Sequence, residues 1–599
     1  MPSLPRALPL LIWTVFAAPL TAGAQATDEV LRRGESAALV GWRAPVSATD
    51  PVSVRLLGIN DLHGHLEAQT RAAGFPGERP MGGAAVLAAY LEWERDEYPK
   101  RTLLLIAGDS IGASAPVSGL LHDEPTMAFL NELAAGTCPK FTRALAARPP
   151  PLVTRCRVLA TVGNHEFDKG TAELERLLYG GRHADGAVPG RAWDGTRLPW
   201  LAANVVRRAD RAPLLPPSAI VELDGLRLGV IGAVTLATPA LVPAQAIGDL
   251  EFLPEAPAVN AEVTRLKAAG VKVIVLVIHE GLSSPQAPQL APLALEEARG
   301  HLADVIRGLD GGIDVIVAGH THRINNVLLP LRDGRLVLVV EARSEGTAYS
   351  AIDLTIDRAT GAVVAKSARI FTTWGDEGPG RKPVPRIARL VATAASATAA
   401  SVGRQIGSAA GTIRREQSPS GESALGDLIA DAQRAAAGTD FAFMNGGGMR
   451  GDLEAGPITF GALYAVQPFG NTVLRLTLTG EQILRLLEQQ WSGPYARAPR
   501  LLATSGLGYR YDLRRPAGER VVSAVDAAGR PLEPGRRYRV AANDFLVAGG
   551  DYYSVFAEGR DLEAVGVDSA LLEAYVRAAP GPLTAPPAGR ITRLDLGPR

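Results

Sequence analysis

Five short runs of Val, Ile and Leu break off at residues able to bind a metal. Val54 to Asn60 is followed by Asp61 and His63, Leu103 to Gly108 by Asp109, and Val158 to Gly163 by Asn164, His165 and Asp168. Val271 to Ile278 is followed by His279, and Ile313 to Gly319 by His320 and His322. Apolar runs of this length without polar alternation predict strands buried on both faces, as in parallel sheets. Ligands of open parallel sheets gather beyond the carboxyl ends of the strands. The pattern therefore predicts a single site, built from Asp, Asn and His side chains spread between positions 61 and 322.

One Asp or His after a strand is ordinarily a turn or capping residue. Here five of the nine histidines stand at these ends, where chance would scatter them. Helical periodicity fills the gaps, at Ala84 to Glu97, Thr171 to Leu178, Val259 to Ala269 and Leu293 to Leu309, and the alternation predicts an α/β domain. Leu201 to Ala203 and Gly229 to Ala233 read as further strands, and Leu336 to Glu341 and Ser350 to Ile356 as the closing ones. His65 falls near the site; His122, His183 and His301 read as surface residues.

Thr372 to Pro385, rich in Gly, Pro and charge, predicts a boundary. Arg386 to Val402 reads as a bridging helix, Gln405 to Ile413 as the strand opening a second domain, and Ala424 to Ala437 as that domain's first strong helix. A length of 599 residues agrees with more than one domain. No solenoid-length repeat is present.

Lys+Arg and Asp+Glu balance at 62 each, which argues against a nucleic-acid polymer or an acidic membrane as partner. Arg6, the apolar Leu8 to Ala18 and the small-residue Ala24-Gln25-Ala26 predict a signal peptide over residues 1–26, cleaved after Ala26. The apolar run is short for a membrane span, no Cys stands near the cleavage site, and Ile591 to Arg599 carries no apolar tail. The expectation is a periplasmic or secreted protein without a membrane anchor. In such a chain the only two cysteines, Cys138 and Cys156, are expected to pair. A bridge closing a loop of that size contributes about 3 kcal/mol.

A mixed imidazole and carboxylate donor set suits metals of intermediate hardness. Two ions sharing a carboxylate about 3.5–4 Å apart bind both the attacking and the leaving oxygen of a phosphoryl transfer. Asp109, alone at its strand end, is the natural bridge.

Asp61-Leu62-His63, Gly108-Asp109, Gly163-Asn164-His165-Glu166-Phe167-Asp168 and Gly319-His320-Thr321-His322 resemble the signature blocks of calcineurin-like metallophosphoesterases. Asn445-Gly446-Gly447-Gly448-Met449-Arg450, Pro468-Phe469-Gly470 and Asn543-Asp544-Phe545 through Gly549-Gly550-Asp551 resemble the substrate domain of secreted 5'-nucleotidases, a family that includes bacterial UDP-sugar hydrolases and 2',3'-cyclic phosphodiesterases.

The resemblance implies a four-layer αββα sandwich over residues 27–380, a linker helix over 381–402 and a smaller α/β substrate domain over 403–599. It implies two divalent ions, with Zn, Mn, Co and Fe all open. Asp61, His63, Asp109 and His322 would hold one, and Asp109, Asn164, His279 and His320 the other. His165 and Asp168 match the catalytic dyad. Arg450 would grip phosphate, Phe469 and Phe545 would sandwich the base, and Asp551 with Asn445 would reach the ribose.

The chain departs from the family where Pro419 to Gly421 replace expected phosphate-binding arginines, with Arg414 or Arg415 as substitutes. The implied reaction is hydrolysis of nucleoside 5'-monophosphates by a metal-activated water. Alternatives are 2',3'-cyclic phosphodiesterase with 3'-nucleotidase activity, UDP-sugar pyrophosphatase, or a nucleotide-binding protein without turnover. The oligomeric state stays open.

Overall fold

The computed structural model describes residues 39–596 except 46–47, 71–78, 184–191, 286–288, 290 and 497–498. The leader expected at residues 1–26 lies outside the described residues.

The apolar runs of the first lobe fold into two seven-stranded sheets, the two inner layers of the expected sandwich. In the first, Pro51–Ile59, Thr102–Ala107, Val158–Thr161 and Trp200–Leu201 run parallel, and Ala348–Asp357, Val363–Thr372 and Val40–Arg43 close the other edge antiparallel. In the second, Leu226–Val234, Val273–His279, Val315–Val317 and Leu336–Ala342 are parallel neighbours.

Burial explains why Val273–His279 shows no polar alternation. Val273, Val275 and Val277 pack in the core shared with the first sheet, alongside Leu104 and Val158. Ile274, Leu276 and Ile278 point the other way, into Val259, Leu266 and Leu302 of the helices Glu255–Ala268 and His301–Gly308. On the outer side of the first sheet lies the helix Ala84–Glu97, whose Glu94 accepts from Arg55 and from Tyr349 Oη at 2.8 Å. Helix, sheet, sheet and helix make four layers.

The helix expected over Leu293 to Leu309 is shorter, spanning only His301–Gly308. Gly300 has φ 101°, which no helical residue adopts, and upstream Gln289 and Leu293 donate backbone N–H to Asn326 and Leu328 beside an edge strand. The strand expected to Ile413 ends at Ala409. His122 and His183 are half-buried rather than on the surface, their rings stacked 3.5 Å apart. Cys138 and Cys156 form a disulfide.

The helix Pro385–Val402 leads to the second lobe, whose five-stranded sheet has Phe441–Met444 and Arg537–Asn543 as parallel neighbours. Residues beyond their carboxyl ends, Asn445 and Phe545, therefore emerge side by side, facing the first lobe.

Candidate metal centre

The carboxyl ends of both sheets of the first lobe meet at one point. Asp61 and His63, Asp109, and Asn164 follow three strands of the first sheet, while His279, His320 and His322 come from the second. Two groups of donors form, Asp61 with His63 and His322, and Asp109 with His279 and His320, each with its atoms within 4.8 Å of one another.

His63 Nε2 lies 3.2 Å from His322 Nε2, and His322 Nε2 lies 3.2 Å from Asp61 Oδ1. In the second group His279 Nε2 is 3.0 Å from Asp109 Oδ2 and 3.2 Å from Asn164 Oδ1. Asp109 Oδ2 is also 3.7 Å from His63 Nε2, so this carboxylate reaches both groups. Donors sharing an ion at 2.0–2.2 Å stand roughly 3–3.5 Å apart, and the spacing fits a divalent cation in each.

The imidazoles are held in the tautomer that a ligand needs. His63 Nδ1 donates to the Gly112 carbonyl at 2.9 Å, and His279 Nδ1 to the Ala107 carbonyl at 2.8 Å, which leaves each Nε2 to the centre. Burial, then the Arg450 charge, holds His63 well below the ordinary imidazole range. Burial and His279 push His320 down to about 3. For His279 burial acts downward too, yet the Asp109 carboxylate outweighs it and lifts the ring to about 10.

Five of these seven residues have left-handed backbone: Asp61 (φ 51°), His63 (φ 47°), Asp109 (φ 49°), His320 (φ 75°) and His322 (φ 57°). Non-glycine residues enter this region at a cost, and such strain concentrates at functional sites. Buried carboxylates hold the loops in place. Glu166 accepts backbone N–H groups from Asp109 and Ser110, both at 2.8 Å, and from Gly163. Burial and the nearby Asp109 raise its carboxyl to about 7. Glu341 accepts from Thr321 Oγ1 at 2.7 Å between His320 and His322. Gly163 is required at its position, because a Cβ there would collide with Asp109 Oδ1.

His165 and Asp168 lie on one turn, with His165 Nδ1 2.9 Å from Asp168 Oδ2. Burial works against protonation of His165, but Asp168 and Asp109 together raise it above the ordinary range. The Phe469 ring stacks on this imidazole, with centroids 5.7 Å apart and planes 26° apart.

A cavity of about 330 Å³ joins the lobes. Asp109, Asn164, His165, Asp168, His320 and His322 line it from one side, and Asn445, Arg450, Phe469, Phe545 and Asp551 from the other. Contacts cross between lobes: an Arg450 guanidinium nitrogen is 3.2 Å from His63 Nε2, and Lys169 Nζ donates to the Phe469 carbonyl at 2.8 Å. Asp551 is buried, accepting from Asn445 Nδ2 at 2.8 Å and from Arg500 at 3.0 Å.

Asp61, His63 and His279 are fully buried and do not line the cavity. Two expectations change. His65 pairs with Gln69 at 2.7 Å and does not line the cavity. Arg414 and Arg415 also lie outside it, with Arg414 turned to Asp452 and Arg415 donating to the Met449 carbonyl. The arginine found there besides Arg450 is Arg500, together with Gln417 and Asn471. Sequence reading missed it because Arg500 belongs to no motif.

Residues 54–323 match the calcineurin-like phosphoesterase family model, and residues 401–558 the 5'-nucleotidase C-terminal domain. A cell wall protein of Listeria monocytogenes, Lmo0130, is 32% identical over 92% of this chain and 71% of its own length. The chain belongs to the 5'-nucleotidase family of calcineurin-like metallophosphoesterases. It is a hydrolase, and its family acts on phosphoesters of nucleotides and uses divalent metals. As for other members, the endonuclease YhcR of Bacillus subtilis is 32% identical over 90% of this chain, which spans only 41% of YhcR. The crystal structure of a 5'-nucleotidase precursor from Thermus thermophilus superimposes with a TM-score of 0.71 at 28% identity, over 91% of this chain and all of that one.

Proposed function

We propose that the protein hydrolyses nucleoside 5'-monophosphates to nucleoside and phosphate at a dinuclear centre. The reading is carried by a cavity in which candidate metal donors face Arg450, Phe469, Phe545 and Asp551. Asp61, His63, Asp109 and His322 would hold one ion and Asp109, Asn164, His279 and His320 the other, drawn from Zn, Mn, Co or Fe. Bound there, two ions supply Lewis acidity and a water made nucleophilic near neutral pH.

The remaining work falls to side chains. Arg450 grips the phosphate as a charge-assisted fork. His165, kept protonated by Asp168, gives its Nε2 proton to the 5'-oxygen as the P–O bond breaks, and the electron pair of that bond leaves with the oxygen. The new bond joins water oxygen to phosphorus. Phe469 and Phe545 offer faces to the base, while Asn445 and Asp551 stand ready for ribose hydroxyls. In this proposal residues 27–380 form the catalytic domain, 381–402 the linker and 403–599 the substrate domain.

We place the protein outside the cytoplasm. The expected leader and the cell-wall naming of a relative support this, and no described helix is long and apolar enough to cross a membrane.

The test is a panel of adenosine 5'-monophosphate, adenosine 3'-monophosphate and adenosine 2',3'-cyclic phosphate, with products identified by chromatography. The 5'-ester is expected to give the highest kcat/KM, with adenosine and phosphate as products. A higher value on the cyclic ester would assign the site to cyclic phosphodiesters instead.

A further inference from the structure

A second cavity, of about 890 Å³, shares no lining residue with the one between the lobes. It lies on the outer side of the first sheet, between the helix Ala84–Glu97 and the antiparallel strands Ala348–Asp357 and Val363–Thr372. Alternation along the strands turns one set of side chains into it, and the register sets them in facing pairs. Tyr349 stands opposite Phe371, Ala351 opposite Arg369, and Asp353 opposite Ser367. The helix adds Tyr90, Trp93 and Glu97 and, just past its end, Tyr98, at the three- and four-residue spacing of one face.

The result is a groove lined by aromatic rings. Tyr349 stacks on Phe371 with centroids 5.5 Å apart, and Tyr90 lies 5.9 Å from Tyr349. Trp93 is 56% exposed beside them.

Polar groups of both kinds stand among the rings. Arg55 is already engaged, donating to Glu94, to Glu97 at 2.8 Å and to Asp353 at 2.8 Å. The Glu97 and Asp353 side chains remain 53% and 44% exposed, and their oxygens can accept further hydrogen bonds. Donors are left over as well. Arg369 Nε and Thr372 Oγ1 have no hydrogen-bond partner, although Thr372 is only 1% exposed. Buried donors are nearly always satisfied, so two left unpaired beside a cavity mark a place where a ligand brings the acceptors.

The mixture of groups decides the ligand. Four carboxylates (Glu94, Glu97, Asp353 and Glu377) and three guanidiniums (Arg55, Arg369 and Arg381) line the cavity. An anion would meet the carboxylates, and a cation would find its place taken by Arg55. A neutral ligand rich in hydroxyls suits both signs, donating to Glu97 and Asp353 and accepting from Arg369 and Thr372. Its C–H faces would lie on Trp93 and Phe371. Sugars combine these features, and a volume at the upper end of ligand sites has room for several sugar residues.

We propose that this cavity is a second, non-catalytic site, which binds a neutral oligosaccharide.

The experiment titrates the purified, metal-loaded protein with the hexamers of maltose type, cellulose type, xylan type and chitin type, following heat and tryptophan fluorescence. Hexamers of galacturonate and of glucosamine serve as the anionic and cationic counterparts. At least one neutral hexamer should bind, and more tightly than either charged one. Trp93→Ala should raise its Kd about 10-fold or more, and Arg369→Gln and Thr372→Val roughly 3- to 10-fold each. Thr372→Val should hold or raise the melting temperature, because its hydroxyl has no partner in the protein to lose. Phosphate release from adenosine 5'-monophosphate should be unchanged in all three variants. Failure of every neutral hexamer to bind at millimolar concentration would overturn the inference. So would binding that survives Trp93→Ala and Arg369→Gln together, or tighter binding of a charged hexamer.

Discussion

His63 Nε2 and His322 Nε2 stand 3.2 Å apart although 259 residues separate them in the chain. Two imidazole nitrogens face each other this closely only where a cation or a shared proton lies between them. Asp109 connects this pair with His279. Asp109→Ala is therefore expected to lose both ions and all measurable turnover, while Asn164→Ala weakens chiefly the ion at His279 and His320. Metal analysis of the purified variants checks this. Two tightly held ions in Asp109→Ala would remove the bridge.

His165 is separable from the metals. It reaches Asp168 through Nδ1 and is stacked by Phe469. His165→Ala should keep its ions and lower kcat by roughly 10²–10⁴-fold, the range for a lost acid–base group. Asp168→Asn should lose less, because the imidazole stays and only its protonation and orientation suffer. Steady-state kinetics with metal analysis decide the matter, and an unchanged kcat in His165→Ala would exclude it from proton transfer.

Phe469 and Phe545 line the cavity from different turns. Base stacking is worth about 1–3 kcal/mol per ring, so each Phe→Ala change should lower kcat/KM on a nucleotide roughly 5- to 150-fold. On p-nitrophenyl phosphate Phe545→Ala should cost little. Phe469→Ala should cost somewhat more, since its ring also steadies His165. Equal losses of Phe545→Ala on both substrates would mean that this ring serves folding.

His301, which does not line the cavity, offers a pH test. Its Nε2 lies 3.0 Å from Glu255 Oε1, and that hydrogen bond, against an opposing effect of burial, raises the ring from 6.5 to about 9. A raised imidazole stabilises the fold fully below 6.5, and the contribution is lost as pH rises through about 9. The side chain is 44% exposed, so solvent screening keeps the effect within about 1 kcal/mol. Urea unfolding at pH 6.5 and 9.5 should show a stability loss in the parent that is smaller in His301→Gln. Identical pH profiles would refute the pairing.

Much of the catalytic lobe was legible because strands buried on two faces leave uninterrupted apolar runs, and each run stops where the chain meets the site. That Val158–Thr161 and Val273–His279 belong to different sheets was not legible, since both faces of each are apolar. Nor was the stop at Gly300, upstream of which Gln289 and Leu293 bond beside an edge strand instead of winding into a helix. Glu166 stood inside a quoted motif, yet its task of gathering backbone N–H groups from the Asp109 loop depends on contacts 56 and 57 residues away. Left-handed backbone at Asp61, His63, Asp109, His320 and His322 leaves no mark in composition. Arg500 was invisible for a similar reason: only the folded 549–553 turn brings Asp551 and Tyr553 to it.

The central claim is that two divalent ions, gathered by strand ends of two sheets, make this chain a nucleotidase. The most direct test strips the purified protein with a chelator, restores Zn, Mn, Co or Fe singly, and follows phosphate release from adenosine 5'-monophosphate against bound metal. The stripped chain should be inactive, and at least one metal should restore turnover, reaching its maximum at two ions per chain. Full turnover without metal, or a maximum at one ion per chain, would contradict the account.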